Sequence, residues 1–233
     1  MFFDLQVNGF AGVDFQQPDL SCAALESALR ALQARQTRIL FTLITDRVEA
    51  MCAKLERVES MRRDLDCGDV IAGYHLEGPC LNPTPGFHGA HPPELMKAPD
   101  IADLERLWTA SGGRIRLITL APEWRGSIEY IRCTVARGVC MAIGHSDADN
   151  ATIDNAIEAG LTMCTHLGNG VPVHLHRHDN IIQRLLSRDE LHAAFIPDGI
   201  HLPPGVLRNL VRAKPAERVI FTTDCMAAAG AGA

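Results

Sequence analysis

No stretch of this sequence approaches the roughly 18 consecutive apolar residues that a membrane-spanning helix requires. Its first residues also lack the basic segment and apolar core that are typical of a secretory leader. From these two absences we expect a cytoplasmic protein with no membrane partner. The net charge of −6 provides no excess of positive charge, so we expect no nucleic-acid partner, although a local basic pocket for a phosphate is compatible with it.

The sequence has eight cysteines but no C-x-x-C pair. The cysteines are scattered, and several lie inside apolar runs. In a chain without a secretory signal, this pattern indicates reduced cysteines that act as small hydrophobic residues rather than disulfides. They are Cys22, Cys52, Cys67, Cys80, Cys133, Cys140, Cys164 and Cys225.

Internal repeats, low-complexity tracts and linkers are also missing, apart from a tail of only Ala and Gly at 227–233. With 233 residues, of which 47% are hydrophobic and 21% charged, the chain is long enough to bury a substantial core. We therefore expect a single barrel domain over residues 1–233.

Eight short, mostly apolar runs alternate with helical patterns along the chain. The predicted strands are 2–8, 38–45, 70–77, 115–122, 139–145, 161–166, 191–197 and 219–224, and the predicted helices are 20–34, 47–65, 101–110, 128–136, 151–159, 181–186 and 204–212. Runs of this kind are typical of parallel strands buried on both faces. Strict alternation favours a (β/α)8 barrel over a doubly wound sheet, and no G-x-G-x-x-G follows the first strand.

The sequence ends shortly after the eighth predicted strand, so we expect the final helix of the barrel to be missing. Without that helix, apolar surface on strands eight and one is exposed. We therefore expect poor solubility or association into a homo-oligomer.

Single acid and histidine residues stand at the ends of four separate predicted strands: Glu77, His145, His166 and Asp224. Each of them alone is better explained by structure, as a buried histidine or a helix cap. Together they favour a metal hydrolase, because the carboxyl ends of barrel strands converge on one mouth. One carboxylate and two imidazoles leave a fourth position of a tetrahedral metal open for water, which is typical of a catalytic site. A metal there lowers the pKa of bound water to about 7 and polarises a carbonyl, and Asp224 is the candidate proton carrier.

Several short motifs then follow one another along nearly the whole chain. They are Asp4-Leu5-Gln6-Val7-Asn8-Gly9, Gly12-Val13-Asp14-Phe15, His75-Leu76-Glu77-Gly78-Pro79, Gly89-Ala90-His91-Pro92, Leu120-Ala121-Pro122-Glu123, Gly144-His145-Ser146-Asp147-Ala148, Thr165-His166-Leu167, Asp198-Gly199-Ile200-His201 and Thr223-Asp224. In this order the set resembles the N-acetylglucosamine-6-phosphate deacetylases of the amidohydrolase superfamily.

The resemblance implies a TIM-like barrel of the metal-dependent hydrolase type that holds one divalent metal. Glu77, His145 and His166 would be the metal ligands, and Asp224 the general base and then acid. Many superfamily members hold a second metal with His-x-His at the first strand, but this sequence has Gln6 and Asn8 there, which favours one metal. Two imidazoles and a carboxylate suit Zn²⁺ and Fe²⁺ alike; we expect Zn²⁺ first and Fe²⁺ as the alternative.

The resemblance also implies contacts with an amino-sugar phosphate. By their place in the family's motifs, the sugar-binding and phosphate-binding residues would be Ala90, His91, Asn169, Gly170, Arg177, Asp198, Gly199, Ile200 and His201. A guanidinium such as that of Arg177 suits a phosphate because of its bidentate geometry. Gly170 stands where the family has an alanine, and its backbone N–H can contact the phosphate equally well.

The implied function is deacetylation of N-acetylglucosamine 6-phosphate to glucosamine 6-phosphate and acetate, a step of amino-sugar metabolism. Full-length members carry a small β-sandwich built from segments on both sides of the barrel, so the sequence is either a fragment or a minimal relative. Two alternatives stay open: an amidase or deaminase acting on another small molecule, and a non-catalytic remnant that binds a sugar phosphate.

Overall fold

The computed structural model describes residues 1–232, and its strands form an almost closed barrel. The strands, in chain order, are β1 (Phe2–Val7), β2 (Gly9–Phe10), β3 (Val13–Asp14), β4 (Thr37–Ile44), β5 (Ile71–Glu77), β6 (Ile115–Leu120), β7 (Cys140–Ile143), β8 (Met163–Cys164), β9 (His192–Phe195) and β10 (Val219–Phe221). Eight of them make one sheet of order β1-β4-β5-β6-β7-β8-β9-β10, in which every neighbouring pair is parallel. β2 and β3 form a small antiparallel pair beside it.

Helices alternate with the strands of the barrel. They are α1 (Cys22–Ala34), α2 (Val48–Asp64), α3 (Ile101–Ala110), α4 (Ser127–Val135), α5 (Asn150–Glu158), α6 (Ile181–Leu186) and α7 (Pro204–Ala213), with 3-10 turns at Gly68–Val70, Pro93–Leu95 and Ala216–Arg218. Within residues 1–232, no helix combines the length and the apolar character that crossing a bilayer requires.

The predicted barrel is confirmed, because each of the eight predicted strands and each of the seven predicted helices is present. Ser21 and Asp149 cap α1 and α5 by accepting hydrogen bonds from backbone N–H groups. Asp46 does not cap α2: Arg47 is the N-cap residue, and the Asp46 carboxylate pairs instead with Lys54 Nζ at 2.8 Å. Residues 222–232 contain no helix.

The core has two parts, one outside the barrel and one inside it. The larger cluster lies between the sheet and the helices, and includes Leu29, Met51 and Tyr74. The smaller cluster fills part of the barrel interior; its buried members are Leu40, Leu117, Ala142, Met163 and Ala194.

A layer of hydrogen-bonded polar side chains lies inside the barrel. His75 Nε2 is 2.8 Å from Thr119 Oγ1, which is 2.7 Å from Thr165 Oγ1, and His75 Nδ1 is 3.5 Å from Thr42 Oγ1. Burial lowers the pKa of His75 to about 4, so the ring stays neutral near pH 7 and takes part as a hydrogen-bonding group. This layer supports Glu77, which lies two residues beyond His75 on β5.

The seam between β1 and β10 has a single backbone bridge, and a buried carboxylate adds side-chain hydrogen bonds across it. Val7 and Cys225 form a single parallel bridge there. Beside it, the Asp4 carboxylate accepts from Thr222 Oγ1 and Thr223 Oγ1, both at 2.6 Å, and from the backbone N–H groups of Thr223 and Gln6. Asp4 therefore joins the first strand to the last, at 218 residues' separation.

We expect Asp4→Ala to lower the free energy of unfolding by about 2–4 kcal/mol, because buried hydroxyl and N–H donors lose a charged acceptor. Urea denaturation followed by circular dichroism measures this change. The matched control is Asp66→Ala, which removes an exposed carboxylate. Equal stability of the two variants would show that the seam is held by other contacts.

Candidate functional site

The four strand-end residues predicted to do chemistry lie at the carboxyl-terminal mouth of the barrel. Glu77 is the last residue of β5, while His145, His166 and Asp224 follow the ends of β7, β8 and β10. The last three have positive φ angles of 50°, 28° and 50°. Left-handed backbone is unfavourable for residues other than glycine, and it clusters at functional sites where the surrounding structure enforces it.

Glu77 lies at the centre of the site, completely enclosed by polar partners. Its Oε1 atom is 2.9 Å from His166 Nε2 and 3.4 Å from His145 Nε2. Its Oε2 atom accepts a hydrogen bond from Gln6 Nε2 at 3.0 Å and lies 3.5 Å from His91 Nε2. One carboxylate oxygen thus faces His145 and His166, while the other is held by Gln6 and His91.

The buried ionisable side chains of this cluster have shifted pKa values. Burial raises the pKa of the Glu77 carboxyl, but the neighbouring imidazoles of His145, His166 and His91 outweigh that effect and hold the pKa well below its usual range. Burial lowers the pKa of His145. Burial also opposes the charged form of His166, yet its hydrogen bond to Glu77 prevails and the pKa of His166 is raised. The charged form is therefore favoured at Glu77 and at His166, but not at His145.

The hydrogen bonds distinguish the protonated nitrogens of His145 and His91. His145 Nδ1 lies 2.7 Å from the carbonyl oxygen of Phe87, which only accepts, so Nδ1 carries the proton and Nε2 presents its lone pair towards Glu77. His91 Nδ1 accepts from the backbone N–H of Thr45 at 3.3 Å, so its proton is on Nε2. Near neutral pH, His145 thus offers a ligand atom to the site, whereas His91 offers a hydrogen-bond donor.

The donor set of Glu77, His145 and His166 fits one divalent metal. One ligand atom from each residue lies within 4.8 Å of the others, and all three residues are buried. His166 Nδ1 is buried without a hydrogen-bond partner, and His145 is held through Nδ1 by a backbone carbonyl, an arrangement common for metal-binding imidazoles. Among residues 1–232, this is the single group of three or more such side chains close enough to share an ion.

Asp224 lines the same cavity as the triad and is oriented by Asn8. Asn8 Nδ2 donates to Asp224 Oδ1 at 2.7 Å. Burial, and secondly the negative charge of Glu77, raise the pKa of Asp224 to about 6. A carboxyl group whose pKa lies near neutrality is suited both to accept and to release a proton.

A cavity of about 650 Å³ opens above the triad, within the range that is common for small-molecule sites. The predicted residues that line it are Glu77, Ala90, His91, His145, His166, Asn169, Gly170, His201 and Asp224. The other four, Arg177, Asp198, Gly199 and Ile200, are exposed and lie outside this lining.

Asp198 has an evident local role. Its carboxylate accepts from the backbone N–H groups of Ile200 and His201, and lies 2.7 Å from His201 Nδ1. Hydrogen bonds from His201 and from these backbone groups overcome desolvation and lower the pKa of Asp198 to about 2. Asp198 thus orients His201, which reaches the cavity.

Sequence reasoning gave no function to several residues that shape the site. Gln16 donates from Nε2 to the carbonyl of Thr42 and accepts from the N–H of Ile44, which ties the β2–β3 pair to β4 at the rim of the cavity. Glu123 accepts from Ser146 Oγ at 2.7 Å and from Asn82 Nδ2 at 3.0 Å, and joins the loops after β5, β6 and β7. Gln16 stands outside every predicted strand, so the strand-end pattern could not reveal it. Glu123 directly follows the predicted strand 115–122, but its partners lie in other loops, which the pattern does not show.

Comparison with known proteins shows strong similarity along the barrel. No protein-family model matches the chain. It is 34% identical over 241 residues to N-acetylglucosamine-6-phosphate deacetylase of Bos taurus, covering 99% of this chain and 58% of that protein. It is also 34% identical over 235 residues to N-acetylgalactosamine-6-phosphate deacetylase of Shewanella sp. (strain ANA-3), covering 98% of this chain and 57% of that protein.

A solved structure gives the same result. An N-acetyl-D-glucosamine-6-phosphate deacetylase variant from Mycobacterium smegmatis, in complex with N-acetyl-D-glucosamine-6-phosphate, superposes with a TM-score of 0.88 at 29% identity, covering 99% of this chain and 59% of that one. The chain thus spans less than two thirds of the length of these relatives. Its similarity to N-acetylglucosamine-6-phosphate deacetylases, which the sequence motifs predicted, is confirmed along the whole barrel.

Proposed function

We propose that this site hydrolyses the acetamide group of N-acetylglucosamine 6-phosphate, releasing acetate and glucosamine 6-phosphate. The observation that carries this proposal is the convergence of Glu77, His145, His166 and Asp224 on one cavity. The names of the relatives supply the substrate class. We propose further that residues 1–233 form one catalytic barrel domain.

Glu77, His145 and His166 would hold one divalent metal, with Zn²⁺ the first candidate and Fe²⁺ the alternative. When bound, such a metal supplies a water of lowered pKa and polarises the acetamide carbonyl. Gln6 contributes by holding Glu77 Oε2, which leaves Oε1 directed at the two histidines.

Asp224 is the proposed proton carrier. It accepts the proton of the attacking water as the new C–O bond forms, and passes a proton to the nitrogen as the C–N bond breaks, so that the amine leaves in neutral form. The hydrogen bond from Asn8 fixes Asp224 Oδ1. No residue in 1–232 hydrogen-bonds Oδ2, which leaves that oxygen available for proton transfer.

The remaining predicted residues would bind the sugar phosphate. His91 Nε2–H, next to Glu77, is a donor for the carbonyl or a sugar hydroxyl. Asn169 and the backbone N–H of Gly170 line the cavity and would contact the phosphate, with Arg177 supplying positive charge. We assign Ala90, Asp198, Gly199, Ile200 and His201 to the sugar-binding side.

The epimer N-acetylgalactosamine 6-phosphate is a second candidate substrate, because a relative named for it is as similar to this chain as the bovine N-acetylglucosamine-6-phosphate deacetylase. Acetate release from both epimers, each measured with and without a chelator, decides between them. If neither epimer releases acetate, while another small amide is hydrolysed in a reaction that a chelator stops, the proposed substrate class is rejected.

We expect Glu77→Gln to lose bound metal, because a neutral amide replaces the central carboxylate. Metal content measured by inductively coupled plasma mass spectrometry after gel filtration should fall by about tenfold or more. Glu56→Gln, which changes an exposed glutamate, is the control. Undiminished metal in the Glu77 variant would contradict the assignment of the ligands.

We expect Asp224→Asn to reduce acetate release by about 10²–10⁴-fold, because proton transfer is lost. Metal content should stay unchanged, which separates this variant from Glu77→Gln. Asp19→Asn alters an exposed carboxylate and serves as the control. Normal turnover by the Asp224 variant would reject its role.

We also propose a homo-oligomer acting in the cytoplasm on small molecules, without nucleic-acid or membrane partners. All eight cysteines are free, which suits a reducing compartment. Phe2, Phe3 and Phe221 are 73%, 50% and 53% exposed, an unusual density of large apolar side chains on β1 and β10.

Sedimentation velocity should therefore show dimers or larger species at micromolar concentration. Phe221→Ser should shift the distribution towards monomer, because it removes apolar area from the contact. Val173→Ser, which changes an exposed residue of another loop, should leave it unchanged. A monodisperse monomer of the unmodified chain would contradict this proposal.

A further inference from the structure

The barrel is hollow at the end opposite the candidate metal site. A cavity of about 630 Å³ opens among the first residues of the barrel strands. Leu5, Ala72, Cys140 and Ile220 line it and are only partly buried, although they pack against the apolar cluster inside the barrel. Barrel interiors are usually filled by layers of bulky branched side chains. Small side chains such as Ala72 and Cys140 leave this end unfilled.

This cavity is separate from the one above the triad. No residue lines both. Leu40, Leu117 and Met163 form its inner wall, and the hydrogen-bonded layer of His75 and Thr119 lies between that wall and Glu77. A molecule bound at this end therefore has no contact with the residues proposed for hydrolysis.

The mouth of the cavity carries positive charge. Arg38 and Arg116, each the second residue of its strand, line the mouth, whereas no Asp or Glu does. Arg38 Nε donates to the backbone carbonyl of Asp69 at 3.0 Å, and Arg116 Nη1 to that of Ile115 at 3.2 Å. Within residues 1–232, neither guanidinium forms an ion pair with a carboxylate.

An imidazole adds to this polar rim, and a third guanidinium lies beside that imidazole. His192, the first residue of β9, lines the cavity. Arg218 Nη1 lies 3.3 Å from His192 Nδ1. Close to the same end, the absence of a side chain at Gly73 gives room to Arg116, since a Cβ atom there would come within 2.5 Å of Arg116 Cγ. The rim therefore combines the closely packed Arg116 with further polar side chains.

We propose that this end of the barrel binds an apolar carboxylate, such as a medium-chain fatty acid. The hydrocarbon would occupy the lumen beside Leu5 and Ile220, where burial of apolar area stabilises it. The carboxylate would lie at the mouth, where Arg38 and Arg116 offer planar, bidentate donors. The proposal does not depend on the proposed deacetylase activity.

Isothermal titration calorimetry with octanoate tests this proposal. We expect saturable one-site binding, and about tenfold or greater weakening in Arg116→Met and in Arg38→Met, both of which change exposed residues and leave the core intact. Arg125→Met removes an exposed arginine elsewhere and should bind as the unmodified protein does. Butyrate and octan-1-ol, which lack the long chain and the carboxylate respectively, should each bind at least tenfold more weakly.

Two further measurements separate the cavity from the metal site, because carboxylates also bind metals. Octanoate binding should persist in chelator-treated protein and in Glu77→Gln. Ala72→Leu, which fills the lumen, should weaken it, with folding checked by circular dichroism. The proposal is overturned if octanoate gives no binding heat at millimolar concentration, if binding is lost in Glu77→Gln, or if neither arginine substitution changes the affinity.

Discussion

The hydrogen bonds across the seam between β1 and β10 are the constraint on which the rest of the structure depends. The Asp4 carboxylate, with Thr222 and Thr223, joins the two ends of the sheet where a backbone ladder is lacking. Closure brings the first strand beside the last, and the same strand carries Gln6 and Asn8 into the mouth of the barrel. Without closure, Asn8 would lie at the opposite edge of the sheet from Asp224, the carboxylate that it orients.

At the mouth, a single buried carboxylate organises the chemistry. Glu77 is desolvated, and the imidazoles around it compensate the cost of burying its charge. His145 and His91 are in opposite tautomers, so the Nε2 atom that faces Glu77 carries a lone pair in His145 and a proton in His91. Burial, and secondly the negative charge of Glu77, raise the pKa of Asp224. One barrel end therefore holds a metal-ligand set and a proton carrier, while the other end holds an apolar lumen with an arginine rim.

Much of this could be predicted from residue patterns. Apolar runs of strand length, each followed by a helical pattern, predicted the strands and helices of the barrel, including the short α6. The β2–β3 pair was missed because two-residue strands show no periodicity. Asp46 is a cap-type residue before α2, but it pairs with Lys54 eight residues later, a contact that short-range rules do not consider.

The sequence by itself determined which side chains stand at the strand ends, because the order of the strands and the place where each ends follow from local pattern. That was enough to identify the set of Glu77, His145, His166 and Asp224. Only the tertiary structure decided which nitrogens face the carboxylate, which predicted sugar contacts reach the cavity, and that the opposite end of the barrel is hollow. Those properties arise from contacts and packed volumes between residues distant in the chain, and no local pattern encodes them.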